Sequence, residues 1–370
     1  MRALIIGGLI FFSGQLYATP QKTNQSVVVV EKIPANLSFA WGIVPLASNS
    51  VLVTEKVGKL KRVDLKTGKS EVITGVPEVY YKGQGGLLDI ALDPDFKTNK
   101  LIYLSYAELD KKTNKSGTAV GRGKLVGSTL KNFERIWQQT PKIDSPLHFG
   151  SRLSFSPKGH LFITTGDRYY NMQDAQTLNN HLGKVIRIWP DGSIPQDNPF
   201  LKKKGALKDI WSYGHRNVQG AAHHPVTGQF YSGEHGAKGG DEINLTRAGK
   251  NYGWPVITHG VDYSGEKIGE GRFKKGMEQP IHFWNPSIAS CGMIIYSGKM
   301  FEEWKHDFIV TSLKLTHLSR ISIGKDGSVS EEKMMDNIDM RMRDVAEAPD
   351  GSLLIVFDQE AGPIFRVSKK

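Results

Sequence analysis

The chain has 370 residues, 39% hydrophobic and 23% charged, which is enough to bury a large core and too apolar for a disordered protein. Glycine is abundant, at 40 residues, but follows no three-residue period, which excludes collagen and favours many short strands joined by turns. A single cysteine excludes an intramolecular disulfide and a cysteine-based zinc site, and the net charge of +11 points either to anionic partners or to a surface kept basic for solubility.

Met1-Arg2 supplies a positive end, residues 3–12 (ALIIGGLIFF) an apolar run, and Ser13 to Ala18 a more polar stretch closing on a small residue. This three-part layout is that of a secretory signal peptide, cleaved after Ala18. The apolar run is too short to span a bilayer, which takes ~20 residues, and no second one follows. The expected product is residues 19–370, periplasmic or secreted, with no membrane anchor. A buried N-terminal strand is the alternative.

One pattern then recurs six times: an apolar pair, a turn with Pro, Asp or Gly, and a strongly apolar strand. The copies lie at Pro45 (WGIVPLASNSVLVTE), Pro94 (DIALDPDF…LIYLSY) and Pro157 (RLSFSPKGHLFITTGD). They continue at Pro225 (GAAHHPVTGQFYSGEHG), Ser297-Gly298 (GMIIYSGKMF…DFIVTS) and Pro349 (DVAEAPDGSLLIVFD). Each reads as an antiparallel strand pair. A period of about 50–60 residues with several strands per unit is that of a propeller blade. The expected fold is therefore all-β, a single six-bladed β-propeller over residues 19–370. Two β-sandwiches would account for the strands but not for the recurrence. Helical periodicity is nearly absent, with Met300 to Trp304 making one short turn at most. Val27 to Val30 and Ile364 to Val367 read as first and last strands, and the ring closes if an N-terminal strand completes the last blade.

No phosphate loop, nucleophile elbow, zincin helix or Rossmann fingerprint is present, and His215, His223 and His224 lack metal-like spacing with a third ligand. Lys202-Lys203-Lys204, the densest basic run, is short for a nucleic-acid arm. What remains is a set of polar residues at the turns of the repeats, which a propeller gathers at one end of its channel. Arg216, Lys314, Arg341 and Arg343 are four cations facing few acids, an arrangement suited to a compact polyanion. Each could instead pair with a nearby carboxylate, such as Asp344 or Asp241. His148 is a candidate general base, and Asp167, at the end of the paired strand, could orient it through the second ring nitrogen. A lone turn histidine is also commonly structural. The Gly-rich stretch Gly233 to Glu242 ends in two acids and could bind Ca²⁺ through backbone oxygens, without EF-hand spacing.

The segments GQGGLLDIALDPDF, HFGSRLSFSPKGHLFITTGDR, NHLGKVIRIWPDGSIPQDNPF, YGHRNVQG, GEHGAKGGDEINL, NYGWP and MRMRDVAEAPDG resemble the soluble quinoprotein glucose/aldose sugar dehydrogenases. The likeness spans about residues 30–367. It implies a six-bladed propeller that takes pyrroloquinoline quinone (PQQ) and Ca²⁺ and oxidises aldoses to lactones by hydride transfer to the quinone. It implies that Arg216 with Asn217, Lys314, Arg341 and Arg343 hold the cofactor, that Gln84 contacts its quinone region and that Tyr263 lines its pocket. His148 falls on the family's catalytic base and Asp167 on its orienting acid. One Ca²⁺ would sit on the carbonyls of Gly236 and Ala237, and a second, structural one at Glu242 and Tyr252.

Some positions depart from the family's pattern. Ala237 stands where many relatives have Pro, His235 where some have Gln, and Ser290-Cys291-Gly292 where Pro-Ser-Gly is usual. The expected partners are an aldose and an unspecified electron acceptor, with no nucleic acid, for a monomer or homodimer. The alternatives are oxidation of a non-sugar alcohol or aldehyde on the same scaffold, a ligand-binding propeller without redox chemistry, and a Ca²⁺-dependent lactonase. The last would need channel carboxylates rather than cations. Sugar choice is left to loops such as 171–180 and 260–276.

Overall fold

A computed structural model describes residues 18–370 of the protein. The signal peptide read at residues 1–18 lies outside the described residues, apart from Ala18, which opens a strand. The strands form six antiparallel sheets. Blade 1 comprises Ala40–Ala47, Ser50–Glu55, Lys59–Asp64 and Ser70–Ile73. Blade 2 comprises Leu87–Leu92, Leu101–Asp110, Lys115–Val126 and Thr129–Gln138. Blade 3 comprises Leu153–Phe155, Leu161–Thr164, Lys184–Ile188 and Ile210–Tyr213. Blade 4 comprises Val218–His223, Phe230–Glu234, Asp241–Leu245 and His282–Trp284. Blade 5 comprises Ser290–Ile295, Phe308–Ser312, Leu318–Ile323 and Val329–Met334. Blade 6 comprises Met342–Glu347, Leu353–Phe357 and Gly362–Lys369, completed by Val27–Leu37 and, outermost, Ala18–Lys22.

The first strand of each blade touches the first strand of the next, around the full ring, so the fold is a six-bladed β-propeller. Five of the six repeat turns join the first and second strands of a blade. Pro45 instead lies inside its strand, paired with Val51, and the turn follows at residues 48–49. The ring closes by pairing the two ends of the chain: Val28 faces Lys369 and Ile33 faces Ile364. The early strand runs to Leu37, further than its apolar stretch at Val27 to Val30.

The core lies between blades. Ile33, Leu37, Val51, Val63, Leu354 and Ile364 join blades 6 and 1, and Trp304, Ile309, Leu318, Met342 and Ile355 join blades 5 and 6. Among the described residues the helical content is one four-residue helix, Phe96–Asn99, and two 3₁₀ turns, Met172–Gln176 and Glu302–Trp304. The last falls within the turn read at Met300 to Trp304. The other two carry no periodicity because each is about one turn long.

Arg152 plugs the channel axis. Its guanidinium lies 3.2 Å from Asp89 and 2.9 Å from Asp344 and stacks over Trp41, 4.2 Å from the ring centroid. This buried triad ties blades 2, 3 and 6 together. It also takes up Asp344, one of the two carboxylates that could have neutralised the mouth arginines.

Candidate active site at the channel mouth

Above Arg152 lies a cavity of about 240 Å³. Entries of the innermost strands supply Trp41, Leu88, Gly150, Asn217 with Gln219, Ala289 and Arg343. Exits of second strands supply Lys56, His235, Leu313 and Asp358, and Gln84 comes from the loop before blade 2. Side chains far apart in sequence meet here because a propeller brings these two positions of every blade to the same end.

His148 and Asp167 meet at its edge. His148 Nδ1 lies 2.6 Å from Asp167 Oδ1, and both residues are buried. Trp254 Nε1 donates to the other carboxylate oxygen at 2.7 Å, and the Tyr169 amide donates to Oδ1 at 2.8 Å. With Asp167 ionised, the proton stays on Nδ1 and leaves Nε2 as the basic nitrogen. Burial lowers the pKa of His148, the Asp167 hydrogen bond offsets only part of that, and the Arg216 charge lowers it further. Burial raises that of Asp167, but the bond and charge of His148, then Arg216, outweigh it and leave the carboxyl below its usual range. The His148 backbone amide donates to Gln84 Oε1 at 2.7 Å, which ties the Gln84 side chain to the His148 main chain. Gly166 has no alternative: a Cβ there would stand 2.2 Å from the His148 carbonyl oxygen.

The cations converge around one acid. Arg343 and Arg341 each reach Asp358 Oδ2 at 3.2 Å, and Lys56 lies 3.5 Å from Oδ1. Burial raises the pKa of Asp358, but Arg343, Lys56 and Arg341 outweigh it and hold the group at about 2. Three positive charges against one negative leave the floor cationic. Arg343 also contacts Gln219 Oε1 at 3.1 Å and Cys291 Sγ at 3.2 Å. Arg216 donates to the His235 carbonyl at 3.3 Å and lies over Trp254, 5.3 Å from the ring centroid. The Nε groups of Arg216 and Arg343 are shielded from solvent with no hydrogen-bond partner. His235 is kept neutral: burial, then Arg216 and Arg343, lower its pKa to about 3. Excess cations with free donors of this kind suit an anionic ligand.

Beside it, Gly236, Glu242, Tyr252 and Thr258 border a small void of about 10 Å³. The Gly236 loop is tight, since a Cβ there would stand 2.1 Å from the Gly239 carbonyl oxygen. Glu242 faces Glu234 across the strand pair, and Asn244 Nδ2 links them at 3.1 and 3.2 Å. Burial, then Glu234, push Glu242 up to about 8. Two facing carboxylates, Glu234 buried and Glu242 partly so, beside backbone carbonyls are a donor set for a hard divalent cation. The Tyr252 hydroxyl is already engaged, donating to the Leu245 carbonyl at 2.6 Å and accepting from the Arg247 amide at 2.7 Å. Its carbonyl is therefore the group it can offer.

The structure thus gathers Gln84, His148, Asp167, Arg216, Asn217, Arg341 and Arg343 at the mouth. Gly236, Ala237, Glu242 and Tyr252 lie around the adjoining loop. Lys314 and Tyr263 stand apart. Lys314 follows the lining residue Leu313 but its side chain is exposed, and Tyr263 sits on the outer 260–276 loop, 57% exposed. Lys56, Gln219, Trp254 and Asp358 belong to the site and had no assigned role. Lys56 and Asp358 each directly follow the second strand of a blade, the position that Asp167 approaches in blade 3, so the repeat alignment carried the signal.

A family model described as glucose/sorbosone dehydrogenase matches residues 37–366. The chain is 39% identical over 367 residues to aldose sugar dehydrogenase YliI of Escherichia coli (strain K12), spanning 98% of this chain and 97% of that one. The apo-form crystal structure of the soluble aldose sugar dehydrogenase from Escherichia coli matches with a TM-score of 0.88 at 39% identity, over 93% of this chain and 100% of that one. The PQQ-bound aldose sugar dehydrogenase from Streptomyces coelicolor matches with a TM-score of 0.76 at 25% identity, over 96% and 100% of the two chains. With six blades, a cationic mouth and matches along nearly its whole length, the chain belongs to the glucose/sorbosone dehydrogenase family.

Proposed function

We propose that the protein is a quinoprotein dehydrogenase that oxidises the anomeric carbon of aldoses to lactones. The buried His148–Asp167 pair at the edge of a cationic, donor-rich cavity carries this reading. The relatives named as aldose sugar dehydrogenases, one of them in a PQQ-bound form, support it.

The residues fit pyrroloquinoline quinone, an ortho-quinone with three carboxylates. The unpartnered Nε groups of Arg216 and Arg343 and the excess charge of Lys56 and Arg341 are what such an anion would satisfy. Gln84 and Asn217 would hold its polar edge. The exposed Lys314 and Tyr263 contribute only if their side chains turn inward. Ca²⁺ fits the Gly236 and Ala237 carbonyls, and a second ion the Glu242 and Tyr252 position. When bound, the quinone supplies a two-electron acceptor and Ca²⁺ a Lewis acid that polarises it.

His148 Nε2 takes the proton of the anomeric hydroxyl. Asp167 keeps Nδ1 protonated and stabilises the imidazolium that forms, while Trp254 pins its second oxygen. Loss of that proton, and of the anomeric hydrogen as hydride, leaves the lactone. Export through the segment at residues 1–18 would place the enzyme in the periplasm or outside the cell. Among the described residues no helix is long and apolar enough to cross a membrane.

The test is dye reduction by the purified protein with a panel of aldoses, with and without PQQ and Ca²⁺. Activity is expected only with both added. No activity and no cofactor-induced spectral change would overturn the reading.

Arg343→Ala is expected to weaken PQQ binding by about 10- to 150-fold, matching roughly 1.5–3 kcal/mol for a lost charge-assisted hydrogen bond. The fold should survive, because Asp358 keeps Lys56 and Arg341 as partners. Titration of cofactor into the two proteins checks this, and equal affinities would remove Arg343 from the cofactor clamp.

A further inference from the structure

A separate cavity of about 220 Å³ opens beside the Gly236 loop, between Lys238 and residues 258–272. Lys238, Lys267 and Arg272 line it, and no carboxylate does. Of the acids in the same segment, Glu270 pairs with Lys274 at 2.8 Å, Asp262 accepts the Ser264 amide at 3.0 Å, and Glu266 is exposed and lies outside the lining. His259 stacks on Phe283 with ring centroids 4.1 Å apart, and neither of its ring nitrogens, both shielded from solvent, has a hydrogen-bond partner.

The floor is fixed. Lys238 and Val261 exchange backbone hydrogen bonds at 2.9 and 3.4 Å, and a Cβ on Gly260 would stand 2.2 Å from the Gly239 carbonyl oxygen. The three cations are exposed around one hollow and repel each other; Lys267 Nζ donates to the Glu270 carbonyl at 2.8 Å, and no carboxylate in the lining offsets their charge. An anion with several acceptor oxygens would offset that charge and give the lysines, the arginine, Thr258 and His259 a common partner.

We propose that this cavity binds a compact phosphate group, free or carried by a sugar. Thr258 also lines the void around Glu242, so the anion site and the metal-type loop share a wall.

The test is calorimetric titration of inorganic phosphate into the full chain. Saturable binding is expected, weakened at least tenfold in the double variant Lys267→Gln/Arg272→Gln. It should be unchanged in Lys202→Gln/Lys203→Gln, which removes the same charge from the densest basic run. All four of these side chains are exposed, so both variants fold. No saturable binding, or equal loss in both variants, overturns the site. Rates with an aldose and its 6-phosphate then separate the sources. A preference for the phosphorylated sugar that vanishes in the Lys267/Arg272 variant assigns the phosphate to the substrate, and equal rates with retained phosphate binding assign it to the free anion. The titration needs no quinone, so its failure leaves the dehydrogenase reading standing.

Discussion

His148→Ala is expected to lower kcat for aldose oxidation by roughly 10²- to 10⁴-fold, the usual worth of a positioned general base. The loss is specific because no other base can substitute. His235 is held neutral by burial and two arginines, but those same charges make it a poor proton acceptor. His148 has φ of 50°, in the left-handed region where alanine is strained. His148→Asn removes that objection, since asparagine tolerates this conformation and can still reach Asp167. It should lose comparable turnover while melting close to the unsubstituted protein. Near-normal turnover in both variants would remove His148 from the chemistry.

The pH dependence gives an independent check. Burial lowers the pKa of His148, so the neutral, basic imidazole persists below the ordinary histidine value of about 6.5. The acid limb of kcat/KM should therefore lie below that value, with activity falling as the pH drops through it. An acid limb above 6.5 would contradict the burial of a neutral base.

Much of this was legible from residues alone, for a physical reason. Strand pairs alternate with period two around turns of few residue types, so six blades appear as six copies. His148 and Asp167 could be paired because they flank one hairpin, and that pairing survives in three dimensions at 2.6 Å. The partner of the mouth arginines was harder. Asp344 stands next to Arg343 in sequence, yet alternation within the strand turns it down the channel to Arg152. The acid that meets Arg343 is Asp358, from the neighbouring strand of the same blade. Lys56 comes from the far end of the chain and joins only when the ring closes. Lys314 and Tyr263 show the opposite limit: a motif fixes the backbone position but not where an exposed side chain points.

Deletion of residues 364–370 is expected to abolish folding of the whole ring. Gly362–Lys369 is hydrogen-bonded on both sides, to Leu353–Phe357 and to Val27–Leu37, so it joins the two ends of the chain. Ile364, Phe365 and Val367 are 0%, 7% and 2% exposed. Losing three such side chains costs roughly 5–9 kcal/mol at about 1.5–3 kcal/mol each. That rivals the whole stability of a typical domain, about 5–15 kcal/mol. The loss does not stay local, because Val27–Leu37 would be left without its blade and the cluster joining blades 6 and 1 would lose Ile33, Leu37 and Ile364 together. A deletion of residues 368–370 is the control. It removes the exposed Lys369 and Lys370 and leaves Val367 facing Val30, so its melting temperature should fall only slightly. A cooperative melt for the longer deletion at the temperature of the intact chain would show that the ring holds without its closing strand.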